Sequence, residues 1–495
     1  MEGIVVDLGQ TGKKIRKVWN FGYNTCHAAL LLREDLPSQI KTAKEAGFRY
    51  IRFHNILSSQ VGIYRENDDG EPVYDFHNFN RIFDTIIQNG MLPFMEISFC
   101  PEALKSSEKV IMHYKGSTSK PSSYEKWTEL IKRIICNAID RYGIECVKKW
   151  YFEVWNEPDL IFFDGDMEDY FELYDYTVTA IKSISQSLRV GGPATSKCKW
   201  IDAFIKHIET GSEISGFKPL PCDFISTHAY PSDLPFLSNA EGTVKLQNSN
   251  VLVQLYSAVK EKIQSSSLKG IPLIMGEWNS SAGPLAFNHD EKNNAAFIVK
   301  TLNELKNIID GSLYWNLSDI FEEFGFNYTP FHGGYGLFNV NSIPKSSYNA
   351  FKLLSMVDGD EIEVKISDET KEGTGILASL DKNKGILNIL IYFYVEPDSD
   401  DVKPWNADIV IRGMQAETVS YKSFGINDNK GSAYEWWRKI GSPDYLTPDT
   451  MRYLADKSEM EENSEIIFKD RTSDTYTLKE KIYPGDVKLI RIFNM

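Results

Sequence analysis

Tyr151-Phe152-Glu153-Val154-Trp155-Asn156-Glu157-Pro158-Asp159 starts as a mainly apolar and aromatic run and stops abruptly at an Asn-Glu-Pro triplet. A short run of this composition bounded by turn residues reads as a buried strand. The glutamate that follows is therefore delivered to a loop at the strand's C-terminal end. Ile271-Pro272-Leu273-Ile274-Met275-Gly276-Glu277-Trp278-Asn279 repeats the grammar. Two carboxyl groups thus each sit where a core strand leaves the interior, and a pair of carboxylates is the minimum equipment for hydrolysing a glycosidic bond.

Working outward, short β-rich runs alternate with segments of helical period from about residue 18 to 315. The strand expectations are 18–23, 50–53, 92–97, 150–155, 190–192, 224–227, 273–275 and 312–314. Between the third and fourth, Trp127, Leu130, Ile131, Ile134, Ile135 and Ala138 recur at helical spacing. After the fourth, Met167, Tyr170, Phe171, Tyr174, Val178 and Ile181 do the same. A helix over 36–46 is expected to end at Gly47, a residue suited to a left-handed cap. Eight such alternations in about three hundred residues is the arithmetic of an α/β chain folded as a (β/α)8 TIM barrel, whose active site lies at the C-terminal strand ends. Glu157 then follows strand four and Glu277 strand seven. A doubly wound open sheet competes, but Asn24-Thr25-Cys26-His27 after the first strand is no glycine-rich phosphate loop.

Beyond about residue 344 the texture becomes short β-rich runs (361–366, 386–395, 408–411, 465–468, 487–492) between charged or Gly/Asp turns, the signature of an antiparallel β-sandwich. The expected organisation is a catalytic barrel over 15–343 and a sandwich built from 1–14 plus 344–495. A helical insert at about 432–458 carries Trp436-Trp437, expected to pack onto the barrel. With 495 residues the chain exceeds the usual size of one core. A net charge of −15 argues against nucleic-acid or anionic-membrane partners. The six cysteines never form a C-x-x-C pair and are expected to be free and mostly buried. The start of the chain shows no basic then apolar leader, so a cytoplasmic protein is expected.

His54 and His228 end strands two and six, and Tyr230 follows the latter. With Glu157 and Glu277 they are placed to ring one sugar. Asn156, beside Glu157, is positioned to hold a sugar hydroxyl, and a bond to the 2-hydroxyl that strengthens in the transition state accelerates the reaction. After strand eight, Trp315 is suited to floor a pyranose ring, and Glu322 or Glu323 to clamp its hydroxyls. Glu96 also ends a strand and is read as a supporting group. The histidines lack H-x-H, H-E-x-x-H or paired-Cys company, so no metal is expected; acid/base chemistry of this kind needs no cofactor. A general acid must be protonated near neutrality, so Glu157 needs a raised pKa, with burial and the Glu277 charge as the expected causes.

At these residues the chain resembles family 39 glycoside hydrolases of the β-xylosidase branch. The resemblance covers nearly the whole length, through Arg52-Phe53-His54, Arg141-Tyr142-Gly143, the Asn156-Glu157-Pro158 segment, Gly191-Gly192-Pro193-Ala194, His228-Ala229-Tyr230, the loop from Ser318 to Gly336, and Gly441-Ser442-Pro443. It implies a retaining mechanism with Glu157 as acid/base and Glu277 as nucleophile. It further implies sugar recognition by His54, Asn156, His228, Tyr230 and Glu323 above Trp315, and a tendency to form dimers or tetramers. The chain departs from the family pattern at Asp159, where Asn is expected, and at Gly276-Glu277-Trp278, where Thr-Glu-Tyr/Phe is common. Both departures lie beside the site. The implied activity is exo-cleavage of short xylo-oligosaccharides, releasing xylose. Alternatives are an α-L-arabinoside, a β-glucoside or a uronide on the same machinery, or a carbohydrate-binding protein without catalysis. A uronide would want an Arg or Lys in the pocket, as in the related iduronidases, and the strand ends offer none.

Overall fold

In the computed structural model, which describes residues 4–232, 244–366, 372–397, 399 and 402–493, eight parallel strands close into a barrel. They are Gly22–His27, Tyr50–His54, Leu92–Ile97, Tyr151–Val154, Arg189–Thr195, Phe224–His228, Leu273–Trp278 and Gly311–Tyr314, the last pairing back onto the first. All eight expected strands are present. The first starts four residues later than expected, because Val18–Asn20 forms a buried 3-10 turn beneath the barrel before the chain straightens. The strand that enters through Tyr151 and Phe152 is buried throughout, as its composition requires.

The helix Tyr124–Tyr142 buries Trp127, Leu130, Ile131, Ile134, Ile135 and Ala138, the stripe read from spacing. Ser123 caps its start by accepting a hydrogen bond from the Lys126 amide, and Gly143 at φ +78° ends it. Met167–Ile184 opens on a reciprocal capping box between Asp166 and Asp169. Its Tyr170, Phe171, Tyr174, Val178 and Ile181 are buried as expected, whereas Met167 lies at its half-exposed first turn. At the N-terminal end of the barrel, Phe21, Tyr50, Phe94, Tyr151, Phe224, Ile274 and Leu313 fill the interior, so chemistry is confined to the other end.

The second unit is one nine-stranded sheet. Its strands run antiparallel except where Ile4–Lys14 pairs in parallel with Trp405–Arg412. Ile4–Lys14 also pairs with Asp360–Ile366, so the first residues join the C-terminal sheet as anticipated. Val419 and Tyr421 near one edge share a core with Tyr476 and Leu478 at the other, so the sheet curls over itself as a sandwich. Strands Thr374–Asp381, Thr418–Ile426 and Thr475–Ile482 were not among those anticipated. Polar residues interrupt their apolar positions. The helix Ser346–Met356 packs Phe351 against Phe48, Tyr314 and Trp278 of the barrel. Trp437 is buried against Phe331 of the loop after strand eight, so the helical insert does rest on the barrel side; Trp436 lies between the ammonium groups of Lys439 and Lys457. All six cysteines are free; Cys26 and Cys100 are buried, Cys136 is exposed and three are intermediate, so fewer are buried than expected. Among the described residues no helix is long and apolar enough to cross a membrane.

Candidate active site

Strand four ends at Val154, and the next residues depart sharply from extended backbone: Trp155 and Glu157 adopt φ of +67° and +40°. For side chains with a Cβ this costs about 1–2 kcal/mol each, and the surroundings hold it. The Trp155 indole is buried and donates to the Phe162 carbonyl at 2.9 Å, while the Glu157 amide donates to Ala194 O at 3.0 Å. The twist turns the Glu157 carboxyl into the barrel mouth.

Glu277, still within strand seven, reaches the same point. One carboxylate oxygen of Glu157 and one of Glu277 lie within 4.8 Å of each other. The Nδ1 of His228 stands between them, 3.1 Å from Glu157 Oε1 and 3.4 Å from Glu277 Oε2. Burial, outweighing the attraction of Glu277, pulls His228 down to about 4, so the ring is neutral near pH 7. Its Nδ1 is hydrogen-bonded with Glu157 and stands beside Glu277. The Tyr230 hydroxyl donates to Glu277 Oε1 at 2.8 Å.

Burial raises both carboxyls. Glu157 is pushed up to about 8, with the Asp159 carboxylate as the second cause and Arg52 and Lys199 opposing. The charge expected from Glu277 is thus supplied mainly by Asp159. Glu277 is raised by burial and by Glu157, against His228, Arg52 and the Tyr230 hydrogen bond.

Beneath the pair lies Arg52, fully buried. Its hydrogen bonds run from Nε to Glu153 at 2.7 Å, from Nη1 to Asn24 at 3.0 Å and Glu277 at 3.4 Å, and from Nη2 to Asn156 at 3.0 Å; Nη2 also stands 2.7 Å from Glu96 Oε2 as an ion pair. One guanidinium cannot balance three buried carboxylates. Burial accordingly drives Glu96 well above the usual carboxylate range, and its other oxygen accepts from Ser98. Glu96, read from sequence as a supporting group, is buried beneath the pair and does not line the cavity. Arg52 had not been assigned a role from sequence, although an arginine between Ile51 and Phe53 in a core strand must find partners. Because Arg52 takes the Asn156 carbonyl oxygen, the amide nitrogen is what Asn156 can offer a ligand.

A narrow cavity of about 50 Å³ reaches both glutamates. His54, Asn156, Glu157, Tyr230, Glu277, Trp315 and Glu323 line it, which brings together every expected site residue but one. His228 stands behind the wall, lining a smaller recess with Ser196 and Lys197. Trp315 stacks on His54 with centroids 5.7 Å apart, which makes a flat side to the pocket. Of the two candidate clamps, Glu323 is buried in the wall, and Glu322 turns away to pair with His27 at 3.0 Å and Arg33 at 3.6 Å. Leu160, Phe162, Ala282, Phe324 and Tyr335 complete the wall. These come from irregular loops, where no period marks them. The loops after strands seven and eight are joined by buried Lys345, 2.5 Å from Asp290 and 3.0 Å from Asp319. Two trios have ligand atoms spaced within metal-binding reach: Glu157, His228 and Glu277, and Cys26, His54 and Glu323. In the first, Arg52 already supplies the positive charge a cation would bring.

A barrel with paired buried glutamates at the C-terminal ends of strands four and seven is the framework of a glycoside hydrolase. The model of glycosyl hydrolases family 39 matches residues 3–472, and the chain belongs to that family. It is 37% identical over 464 residues to a β-xylosidase of Caldicellulosiruptor saccharolyticus, covering 92% of this chain and 91% of that protein. With a β-xylosidase of Geobacillus stearothermophilus identity is 34% over 462 residues, covering 91% and 88%. The crystal structure of a monomeric β-xylosidase from Caulobacter crescentus CB15 superposes with a TM-score of 0.87 at 31% identity, each chain covered in full.

Proposed function

We propose that the protein is a retaining exo-β-xylosidase in which Glu277 is the nucleophile and Glu157 the acid/base. The observation that carries this reading is the approach of the two carboxyls, oxygens within 4.8 Å, around one imidazole nitrogen. Retaining enzymes need a gap of about 5–5.5 Å, whereas inverting enzymes need about 6.5–9.5 Å to seat a water. With its carboxyl at about 8, Glu157 is protonated at neutral pH and can protonate the departing glycosidic oxygen. Glu277, hydrogen-bonded by Tyr230 and Arg52 and 3.4 Å from His228, is the better stabilised carboxylate and attacks the anomeric carbon. The glycosyl ester consumes its charge. Glu157, now deprotonated, takes a proton from water, and the resulting hydroxide releases the sugar with its configuration retained.

Asn156 and Glu323 are positioned to hold hydroxyls against the Trp315–His54 face. His228 is better read as the group that spaces the two carboxyls than as a sugar ligand. The wall contains no lysine or arginine among the described residues, and Arg52 is engaged beneath it by Glu96, Glu153 and Glu277, which favours a neutral glycone over a uronide. The narrow, aromatic-walled cavity suits a single terminal sugar, and the likeness to β-xylosidases supports xylose. Six free thiols fit a reducing, cytoplasmic setting. Proton NMR during cleavage of p-nitrophenyl β-D-xylopyranoside tests the reading. β-Xylose appearing before mutarotation is expected; α-xylose first would overturn double displacement, and no turnover would overturn the glycone.

A further inference from the structure

The proposed cleavage leaves one buried nucleophile unused. Cys26, near the end of the first barrel strand, is held at φ +62° with its thiol toward the pocket-lining carboxyl of Glu323. Sγ lies 3.7 Å from Glu323 Oε1, and the same oxygen lies 3.4 Å from His54 Nε2. All three side chains are buried, and their ligand atoms are within 4.8 Å of one another. Tetrahedral Zn2+, with a bond to sulfur of about 2.3 Å and bonds to nitrogen or oxygen of about 2.0–2.1 Å, puts sulfur about 3.6 Å and nitrogen about 3.3 Å from a carboxylate oxygen. The two measured edges are close to those values.

The geometry points to a binding site for a Zn2+-class cation formed by Cys26, His54 and Glu323 in the wall of the glycone pocket, where a bound cation excludes the sugar. Thiolate, imidazole and carboxylate together are a zinc-type donor set. The Tyr114 hydroxyl, now 2.9 Å from His54 Nε2, gives up that contact on binding. The thiol proton and any proton on Glu323 pass to solvent, so binding tightens as pH rises. The fourth position opens to the cavity lined by His54 and Glu323, and takes water. Exclusion of the sugar rests on the proposed pocket reading; occupation by the cation does not.

Co2+ provides a readout independent of turnover. Titrated into the full-length protein, it is expected to give a sulfur-to-cobalt charge-transfer band that saturates at one equivalent, is lost in Cys26→Ser, and is displaced by xylose. Zn2+ should inhibit hydrolysis of p-nitrophenyl β-D-xylopyranoside competitively, with an inhibition constant at least about 100-fold weaker in Cys26→Ser, since loss of even an outer-shell partner costs about 10–100-fold. A wild type without the band, a band that survives in Cys26→Ser, or a band that xylose leaves intact would overturn the proposal; the xylose titration needs only the wild type, so a poorly folding variant does not block the test. Equal Zn2+ inhibition of both proteins would also overturn it, by placing the cation at Glu157, His228 and Glu277. A wild type that shows the band but cleaves no xyloside would support the cation site and refute the glycosidase reading.

Discussion

Asp159→Asn should move the alkaline limb of activity to lower pH by about one unit. The Asp159 carboxylate is almost wholly buried, accepting from the Ser196 amide at 2.8 Å and the Ser196 hydroxyl at 2.5 Å, with the half-exposed Lys199 ammonium 3.5 Å away. Two residues of chain separate it from Glu157, which at full extension is about 7 Å. At that distance and an effective dielectric of about 20 the repulsion is about 2.4 kcal/mol, close to two pH units. Lys199 cancels part of this, which leaves about one. Burial and Arg52, which also act on Glu157, are untouched by the substitution. The sign follows from the role. Glu157 must be protonated to donate, its carboxyl is held up at about 8, and activity falls as pH rises through that value. Removing a neighbouring negative charge lowers the pKa, so the fall begins at lower pH. The assay is the pH profile of kcat/KM on a β-xyloside with a poor leaving group, which depends on the acid. Replacing Lys199 by Met should shift the same limb upward. A limb that stays within a few tenths of a unit in Asp159→Asn, or moves upward, would refute the electrostatic account.

Glu157→Ala should lose about 10²–10⁴-fold on xylosides with poor leaving groups and far less on activated aryl xylosides, read as a steepened dependence of kcat/KM on leaving-group pKa; equal losses would contradict the acid role. Glu277→Ala should abolish turnover by several orders of magnitude in steady-state assay, whereas a non-catalytic sugar binder would keep its function. Tyr230→Phe removes a hydrogen bond to a charged group, worth about 1.5–3 kcal/mol, so kcat should fall by about 10–100-fold. It also leaves Glu277 less stabilised as an anion, so the acid limb should move to higher pH; an unmoved limb would count against Tyr230 acting on the nucleophile. Lys345→Met strands Asp290 and Asp319 in the interior and should lower unfolding free energy near pH 7 by about 3–5 kcal/mol in urea titration. The deficit should narrow as falling pH protonates the two carboxyls; a constant deficit would point to lost packing.

Sequence period alone reached the parts of the molecule where one element dictates its own environment. Trp127, Ile131 and Ala138 had to share a helix face, and an apolar run ending in Asn156-Glu157-Pro158 had to leave the core at a strand end. The chemistry carried by strand ends was legible for the same reason. The pocket wall was not. Phe162, Phe324 and Tyr335 sit in irregular loops, and only tertiary packing decides that they face one cavity. The ion pairs of Lys345 with Asp290 and Asp319 join segments that no local pattern connects. His228 illustrates the limit from the other side: its position at the end of strand six was clear from sequence, but whether the ring would face the sugar or the two carboxyls depends on the side-chain direction there.

Charge accounting links Arg52 to substrate choice. Glu96, Glu153 and Glu277 converge on one guanidinium, so the interior beneath the pocket is short of positive charge. Burial accordingly pushes Glu96 and, at the mouth, Glu157 and Glu323 above the usual carboxylate range, which favours protons over further negative charge there. An anionic sugar entering this pocket would add negative charge with no donor cation to receive it, and would raise those carboxyls further. A neutral pentose adds none and can use the protonated groups as donors. The same shortage that keeps Glu157 competent as an acid at neutral pH therefore also selects against charged glycones, which makes acid strength and specificity two consequences of one buried arginine with too many partners.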